Sequence, residues 1–294
     1  MKRFWQGFTR WGIFSATGII IAKTLYDRWS ELQALQLRPQ YAVSLGFAIA
    51  IAIMAQLWAA ILWGKILELL HNPVPKRWAI VTFLKNAPAK YAPGNIWHLY
   101  GRVVAAQNRG IKLESATLSV LLEPLFIIAG GLGLALWQRT TSATLILALV
   151  GILIVVHPNV FNRLWQGWRT LRGKETSGAT LTEYPFSILM GTLIFMGLRS
   201  ITFLFVVLAF TPISWDIYRP LMSGFGFAWL LSLVIPLPGG VGVFEASALR
   251  VLDPYLSPAI LLGGVCVYRL LTLCVELTNA LIAYLIREDP LVLS

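Results

Sequence analysis

Two short stretches set ionisable side chains beside chain-breaking residues in a chain that is otherwise apolar. The first is Tyr91-Ala-Pro-Gly-Asn-Ile-Trp97, followed by His98 and Arg102. The second is Ile235-Pro-Leu-Pro-Gly-Gly-Val-Gly-Val-Phe-Glu245, followed by Arg250. About 30 residues after each Pro-Gly comes a charge inside an apolar run, Glu123 after the first and Arg269 after the second. Arg199 sits in the middle of a further apolar run, and Glu276 follows Arg269 by two helical turns, on the same helix face. Ionisable groups at membrane depth cost several kcal/mol unless paired or hydrated, so they are functional candidates by default. The chemistry open to this set is recognition of a charged head group. Arginine suits phosphate because its planar fork binds two oxygens. Arg102 and Arg269 are the expected phosphate contacts, with Glu123 and Glu245 holding those arginines or meeting a cationic head group. Helix N-termini just after Gly94 and Gly239 would add free N–H donors. Each of the six charges also has a plainer role as a structural ion pair between helices. Matched positions in the two halves favour function for Arg102, Glu123, Glu245 and Arg269 over Arg199 and Glu276.

The elements that must position these groups follow from composition. The chain has 294 residues, 57% hydrophobic and 13% charged, with mean hydropathy +0.71. Soluble domains are about 25% charged. Several apolar runs near 20 residues mark a polytopic, all-α membrane protein in a single integral domain. No polar stretch is long enough for a soluble catalytic domain. The net charge of +11 does not indicate nucleic acid, because the basic residues fall in short loops between spans, where the positive-inside rule places them. Cys266 and Cys274 lie on one helix, roughly 12 Å apart along its axis, too far for a disulfide. Lys2, Arg3 and Arg10 precede an apolar run, but no small-residue cleavage site follows, so 11–26 reads as a retained first span.

Full spans are expected at 11–26, 41–66, 115–137, 142–157, 185–211 and 256–285. The apolar segments 78–110 and 218–252 each carry Pro-Gly in the middle. Irregular backbone at membrane depth survives only where protein or water covers it, so both read as re-entrant helical hairpins. Their tips are Pro93, Gly94 and Asn95 in the first, and Pro238, Gly239, Gly240 and Gly242 in the second. With the N-terminus inside, the cytoplasmic segments hold 16 Lys/Arg and the external ones 5, a bias that supports this arrangement. Three spans separate the hairpins, so they enter from opposite faces, and 41–137 is repeated as 185–285 with inverted topology. Inverted repeats built on broken helices place a substrate site near the midplane. A rival count makes 218–236 a full span, with seven spans and both hairpins on one face. In 158–184, apolar Phe161, Leu164, Trp165, Trp168 and Leu171 recur at helical spacing beside Arg163, Arg169, Arg172 and Lys174, the pattern of an amphipathic interfacial helix.

Other chemistries fail on spacing. His71, His98 and His157 are isolated, and no metal motif or cofactor motif is present. No strand precedes Gly239-Gly240-x-Gly242 or Gly130-Gly131-x-Gly133, which argues against a phosphate loop; the second set reads as close helix packing. No Gly-x-Ser-x-Gly elbow supplies a serine nucleophile, and no catalytic residue is assigned. Tryptophans at span ends are aromatic-belt anchors.

On these residues the chain resembles the lysylphosphatidylglycerol synthase transmembrane (flippase-like) family. The matching features are Pro93-Gly94, Arg102, Gly110, Ser119 and Glu123, then Pro236-Leu-Pro-Gly-Gly-Val-Gly-Val-Phe-Glu245 and Tyr268-Arg-Leu-Leu-Thr272. The resemblance covers nearly the whole chain. It implies a domain with re-entrant helices that moves phospholipids or related lipids between leaflets. Anionic or aminoacylated phospholipids, glycolipids or isoprenoid lipids are the implied partners, with a lipid-modifying enzyme as a further one. In the family an Arg and then an Asp commonly follow the first-repeat Glu. Here Pro124 follows Glu123, so that part of the first-half charge network is expected to be absent. No soluble acyltransferase-like domain is present, so aminoacyl transfer from tRNA is not expected.

Three functions are therefore weighed. The leading one is a lipid flippase in the bacterial cytoplasmic membrane, with both termini cytoplasmic. The second is an intramembrane transferase acting on lipid-phosphate or polyprenyl-phosphate heads. The third is an assembly subunit for a lipid-modifying enzyme.

Overall fold

The computed structural model describes residues 42–92, 96–137, 142–171, 179–234 and 243–286. The expected span at 11–26 and all seven tip residues, Pro93, Gly94, Asn95, Pro238, Gly239, Gly240 and Gly242, lie outside these residues. Regular structure among the described residues is entirely helical. In chain order it runs α1 (Ala42–Leu69), α2 (Lys76–Asn86), a 3-10 turn (Ala87–Tyr91), α3 (Trp97–Asn108), α4 (Leu113–Ala135) and α5 (Ala143–Val155). It continues with α6 (Pro158–Leu171), α7 (Phe186–Leu208), α8 (Trp215–Val234), α9 (Val243–Leu252) and α10 (Pro258–Leu285).

Five helices, α1, α4, α7, α8 and α10, are long and apolar enough to cross a membrane. The expected spans at 41–66, 115–137, 185–211 and 256–285 correspond to α1, α4, α7 and α10. One segment differs from expectation, and a second forms the helix that the rival count expects. The 142–157 run forms only the 13-residue α5, about 20 Å long against a hydrocarbon core of about 30 Å. His157 and Pro158 end it: Pro158 opens a new helix, the His157 ring accepts from the Asn159 N–H, and α6 departs at 73°. The 218–236 run is one continuous helix, α8, long enough to cross alone. Pro220 lies within it without ending it.

Local rules explain the other boundaries. Pro258 opens α10 and Ser257 caps it by accepting from the Ile260 N–H. At the end of α1, Asn72 N–H reaches Leu67 O and His71 N–H reaches Glu68 O, with His71 left-handed at φ +61. The same closure ends α3, where Ile111 N–H reaches Ala106 O and Gly110 takes φ +86.

Packing divides the bundle into two poles. At one pole, Ile66 and Leu69 of α1, Leu118 and Leu122 of α4, Val156, and Ile188 of α7 share a core. At the other, Ala48 of α1, Val207 of α7, Leu221 of α8, Leu252 of α9 and Leu261 of α10 share another. The short α2 and α3 pack at the first pole, Ala79 and Val103 against Trp63 and Ala116, and Leu84 of α2 against Ala283 of α10. The α8–α9 pair packs at the second. The two helix pairs thus meet the bundle from opposite ends, and Lys65, Lys76, Arg77, Arg109, Lys112, Arg163 and Arg169 gather toward the α2–α3 end.

At that end, the Glu114 carboxylate, in the first turn of α4, accepts from Trp165 Nε1 at 2.8 Å and from the Arg169 guanidinium. Asn162 exchanges two hydrogen bonds with the Leu181 backbone, 2.8 and 2.9 Å. These contacts hold the amphipathic α6 across the bundle end, its Leu164, Trp168 and Leu171 exposed. Arg172 and Lys174 lie outside the described residues.

The helix-packing role expected for the Gly130 cluster is what the structure has. A Cβ at Gly130 would meet the Thr192 carbonyl oxygen at 2.6 Å, and one at Gly131 would meet Leu230 at 2.8 Å. Backbone cannot rotate away as a side chain can, so Gly130→Ala must force α4 and α7 apart. Gly46 of α1 has nothing within 4 Å of such a Cβ. Thermal melting of the purified chain should show Gly130→Ala destabilised by about 1–3 kcal/mol and Gly46→Ala unchanged or slightly stabilised. Equal effects of the two would remove close α4–α7 approach as the reason for the glycine.

Candidate functional site

Arg102 points inward from α3 and is only 3% exposed. Its Nη1 donates to Glu123 Oε2 of α4 at 2.5 Å. The guanidinium carbon also lies 4.8 Å from the centre of the Phe83 ring and 5.3 Å from that of Trp63. Trp63 in turn donates to the Ser119 hydroxyl at 3.2 Å. Pro124 withdraws one helical donor next to Glu123, yet α4 stays continuous and the Glu123 pair with Arg102 is made.

Glu276 of α10 accepts from Lys90 Nζ at 2.6 Å and from the Tyr91 hydroxyl at 3.0 Å. Both donors come from the 3-10 turn that follows α2. On the same α10 face, Arg269 turns to α9: its Nε lies 2.8 Å from Glu245 Oε1, and its Nη2 donates to Oε2 at 3.3 Å. Glu245 stands in the first turn of α9, where unsatisfied N–H groups and the helix dipole favour a carboxylate. The helix terminus expected to add donors for a phosphate after Gly239 therefore already carries its own anion. Arg269 and Glu276, two turns apart, do not pair with each other.

Arg199, in the middle of α7, is 8% exposed. Its guanidinium carbon lies 4.7 Å from the Trp229 ring centre and 5.3 Å from that of Tyr268. Its Nε is buried without a hydrogen-bond partner, as is the Tyr268 hydroxyl. Among the described residues it has no carboxylate partner.

These groups form one neighbourhood. Glu276, Arg199 and Arg269 all act electrostatically on the Tyr91 hydroxyl and on Tyr268. His98, which is half-buried, feels both Arg102 and Lys90. A series of charged and polar groups in electrostatic range of one another, the polar path, thus runs from Glu123 and Arg102 past His98 to Lys90, Glu276 and Tyr91, and on to Arg199, Arg269 and Glu245. All six charges singled out in the sequence lie on it. The arrangement in which glutamates hold the arginines is the one realised, for Arg102 and Arg269 alike. Arg250 is exposed, and Arg109 rests 5.2 Å from the Trp78 ring.

Sequence reasoning missed Lys90, which reads as a loop cation, although its place directly before Tyr91-Ala-Pro-Gly was a signal. It also missed Gln56 and Asn279, lone amides in apolar runs. Asn279 Nδ2 donates to Gln56 Oε1 at 2.6 Å in the buried interior, one turn beyond Glu276. Asn279 also lines an apolar groove of about 440 Å³ between α1 and α10, with Ile49, Ile53, Leu270, Leu271 and Cys274. The polar path and an apolar groove therefore meet at α10.

The arrangement can hold charge at depth and exchange it. Each ion pair joins a short element to a long helix: α3 to α4, the turn after α2 to α10, and α9 to α10. A ligand bearing both a phosphate and an ammonium could take over either partner of such a pair. Removing one partner alone is costly, because the other charge stays buried; such losses run to about 3–5 kcal/mol. Glu123→Gln, which strands Arg102, should lower the melting temperature sharply. Adding Arg102→Met should restore much of it, and Lys90→Ala, from a cation whose side chain is 33% exposed, should cost less. A double variant no more stable than Glu123→Gln would show that Arg102 is not held by this pair.

No protein-family model matches this chain, and no curated protein matches it. The assignment of function therefore rests on the charged path itself.

Proposed function

We propose that this chain is a lipid translocase that passes a charged head group between leaflets along the polar path while the acyl tails remain in lipid. The observation that carries the reading is that three ion pairs tie the short helices to the long ones in one connected cluster. Apolar contacts alone would hold such helices permanently. Ion pairs in a low-dielectric interior hold them only until a competing charge arrives, since each partner must keep a counter-charge.

In this reading α2–α3 and α8–α9 are re-entrant hairpins entering from opposite faces, and 41–137 and 185–285 are inverted repeats. Their approach from opposite poles of the bundle supports it, as does the recurrence of one Arg–Glu pair in each half. Inverted repeats of this kind alternate access by rocking one unit against the other. The pole that gathers Lys65, Lys76, Arg77, Arg109 and Lys112 is the cytoplasmic one, and a bacterial inner membrane fits that bias. The head group's phosphate meets arginine, an ammonium on an aminoacylated head meets a glutamate, and the groove between α1 and α10 receives a tail. The resemblance to the flippase-like transmembrane family points the same way.

The decisive experiment is leaflet exchange of fluorescent lipids in proteoliposomes, comparing phosphatidylglycerol, a cationic aminoacyl derivative and a neutral glycolipid. Exchange above that of empty vesicles is expected, with loss of at least about tenfold in Glu245→Gln and Arg269→Ala. If a carboxyl on the path carries a coupling proton, the rate changes between pH 5 and 8; a flat profile excludes proton coupling by these groups. Absence of exchange from folded protein would sink the translocase. Product formation without relocation would then indicate the transferase. Loss of cellular function on changing Leu164 and Trp168, with charge variants still active, would indicate the assembly subunit.

A further inference from the structure

Among the described residues, the charges on the polar path do not balance. Its cations are Lys90, Arg102, Arg199 and Arg269, and its anions are Glu123, Glu245 and Glu276. Three of the cations have a carboxylate within 2.8 Å. Arg199 has none among the described residues, although it is 92% removed from solvent by its 8% exposure. Stacking on Trp229 and Tyr268 recovers part of the desolvation cost. It does not supply a counter-charge, and it leaves the Nε donor unused.

Two unused polar groups stand together there. Arg199 Nε and the Tyr268 hydroxyl are both buried and both without a hydrogen-bond partner. Buried polar groups are nearly always satisfied; the Tyr268 hydroxyl interacts with the Arg199 guanidinium but meets none of its need for an anion, so a buried cation whose Nε has no acceptor describes a place prepared for one. The fork of an arginine and a hydroxyl donor are the complement of an oxyanion with several oxygens in one plane or tetrahedron. A second carboxylate-bearing partner is not needed, because one negative charge brings the path to neutrality.

We infer that Arg199 and Tyr268 form a binding site for a singly charged phosphate oxyanion, walled by the ring of Trp229, at the centre of the polar path. This rests on the translocase reading only for its source: a lipid head group and a free phosphate share the chemistry. It also reassigns the anchoring role. Arg102 and Arg269, the arginines expected from sequence to take phosphate, are already neutralised by Glu123 and Glu245, so the phosphate goes to the arginine that has no acid. Glu276 acts electrostatically on both Tyr268 and Tyr91 and is the nearby anion that a cationic group on the same ligand would meet.

The test is thermal melting of the full chain in an uncharged detergent, titrated separately with phosphatidylglycerol, diacylglycerol and inorganic phosphate. Phosphatidylglycerol should raise the melting temperature saturably, and diacylglycerol, which lacks the phosphate, should not. Arg199→Gln should weaken the apparent affinity by about tenfold or more, Arg199→Lys and Tyr268→Phe by less, and Arg250→Gln, at an exposed position, not at all. A purely structural Arg199 would lower the ligand-free melting temperature and leave the phosphate-dependent rise intact, which overturns the inference. If Arg199→Gln does not fold, unchanged affinity in both Arg199→Lys and Tyr268→Phe overturns it equally. A rise with inorganic phosphate as tight as with the lipid identifies a free anion as the source, and a rise with lipid alone identifies the head group. Binding that survives in protein shown to exchange no lipid would remove the translocase and leave the phosphate site standing.

Discussion

The arrangement of this protein depends on the cost of holding cations away from water. Three arginines and a lysine lie in or beside apolar helices, where an unpaired charge costs several kcal/mol or more. That cost dictates which helices dock. Arg102 draws α3 onto Glu123 of α4, Lys90 and Tyr91 draw the end of the α2 unit onto Glu276, and Arg269 draws the start of α9. Aromatic faces complete the enclosure, with Phe83 and Trp63 against Arg102 and Phe244 against Arg269. The carboxylates thus add charge pairing to short helices that also pack through apolar contacts such as Leu84 on Ala283 and Phe244 on Phe203.

The long helices are held by a different force. Between them there is no hydrophobic drive in lipid, and close packing must supply the attraction. Small residues permit it. Leu62 of α1 fits against Gly191 of α7, and Trp58 donates to the Gly191 carbonyl at 2.8 Å. Gly130 brings α4 onto the α7 backbone, and a Cβ at Gly264 would come within 3.2 Å of Val207. A set of rings, Phe203, Phe225, Phe244 and Tyr268, interlocks α7, α8, α9 and α10 at centroid distances of 5.4–6.3 Å. Van der Waals contact is rigid and insensitive to ligand, while ion pairs respond to any charge that enters. The scaffold and the responsive parts are thus built from different interactions.

The polar path sits where these two systems meet, and α10 belongs to both. Its buried side packs on α7 through Gly264 and Val265, while Arg269, Glu276 and Asn279 face three other elements. The α1–α10 groove adds an apolar surface beside the same residues. A single helix that carries one charge to each short unit is the element through which the two hairpin-like pairs can sense each other.

Much of the fold was legible in the sequence, because lipid imposes one simple rule, length of apolar run, and α1, α4, α7 and α10 obey it. The rule failed for α5, where Pro158 ended the helix before it could cross, and it could not decide α8, whose run is continuous up to Pro236. The six charges in apolar runs were also legible, since such a charge needs no partner to be conspicuous. Which charge meets which was not. Lys90 reaches a glutamate 186 residues away, and Arg269 ignores Glu276 on its own helix for Glu245 on another. Sequence spacing ranks contacts within a helix, but desolvation rewards whichever opposite charge the packing of helices brings within hydrogen-bond distance. Composition and pattern alone therefore determined that this chain places charges inside an apolar helical bundle, and only the tertiary structure decided that Arg199 is, among the described residues, the cation left without an acid, because pairing is settled by which helix faces meet in three dimensions.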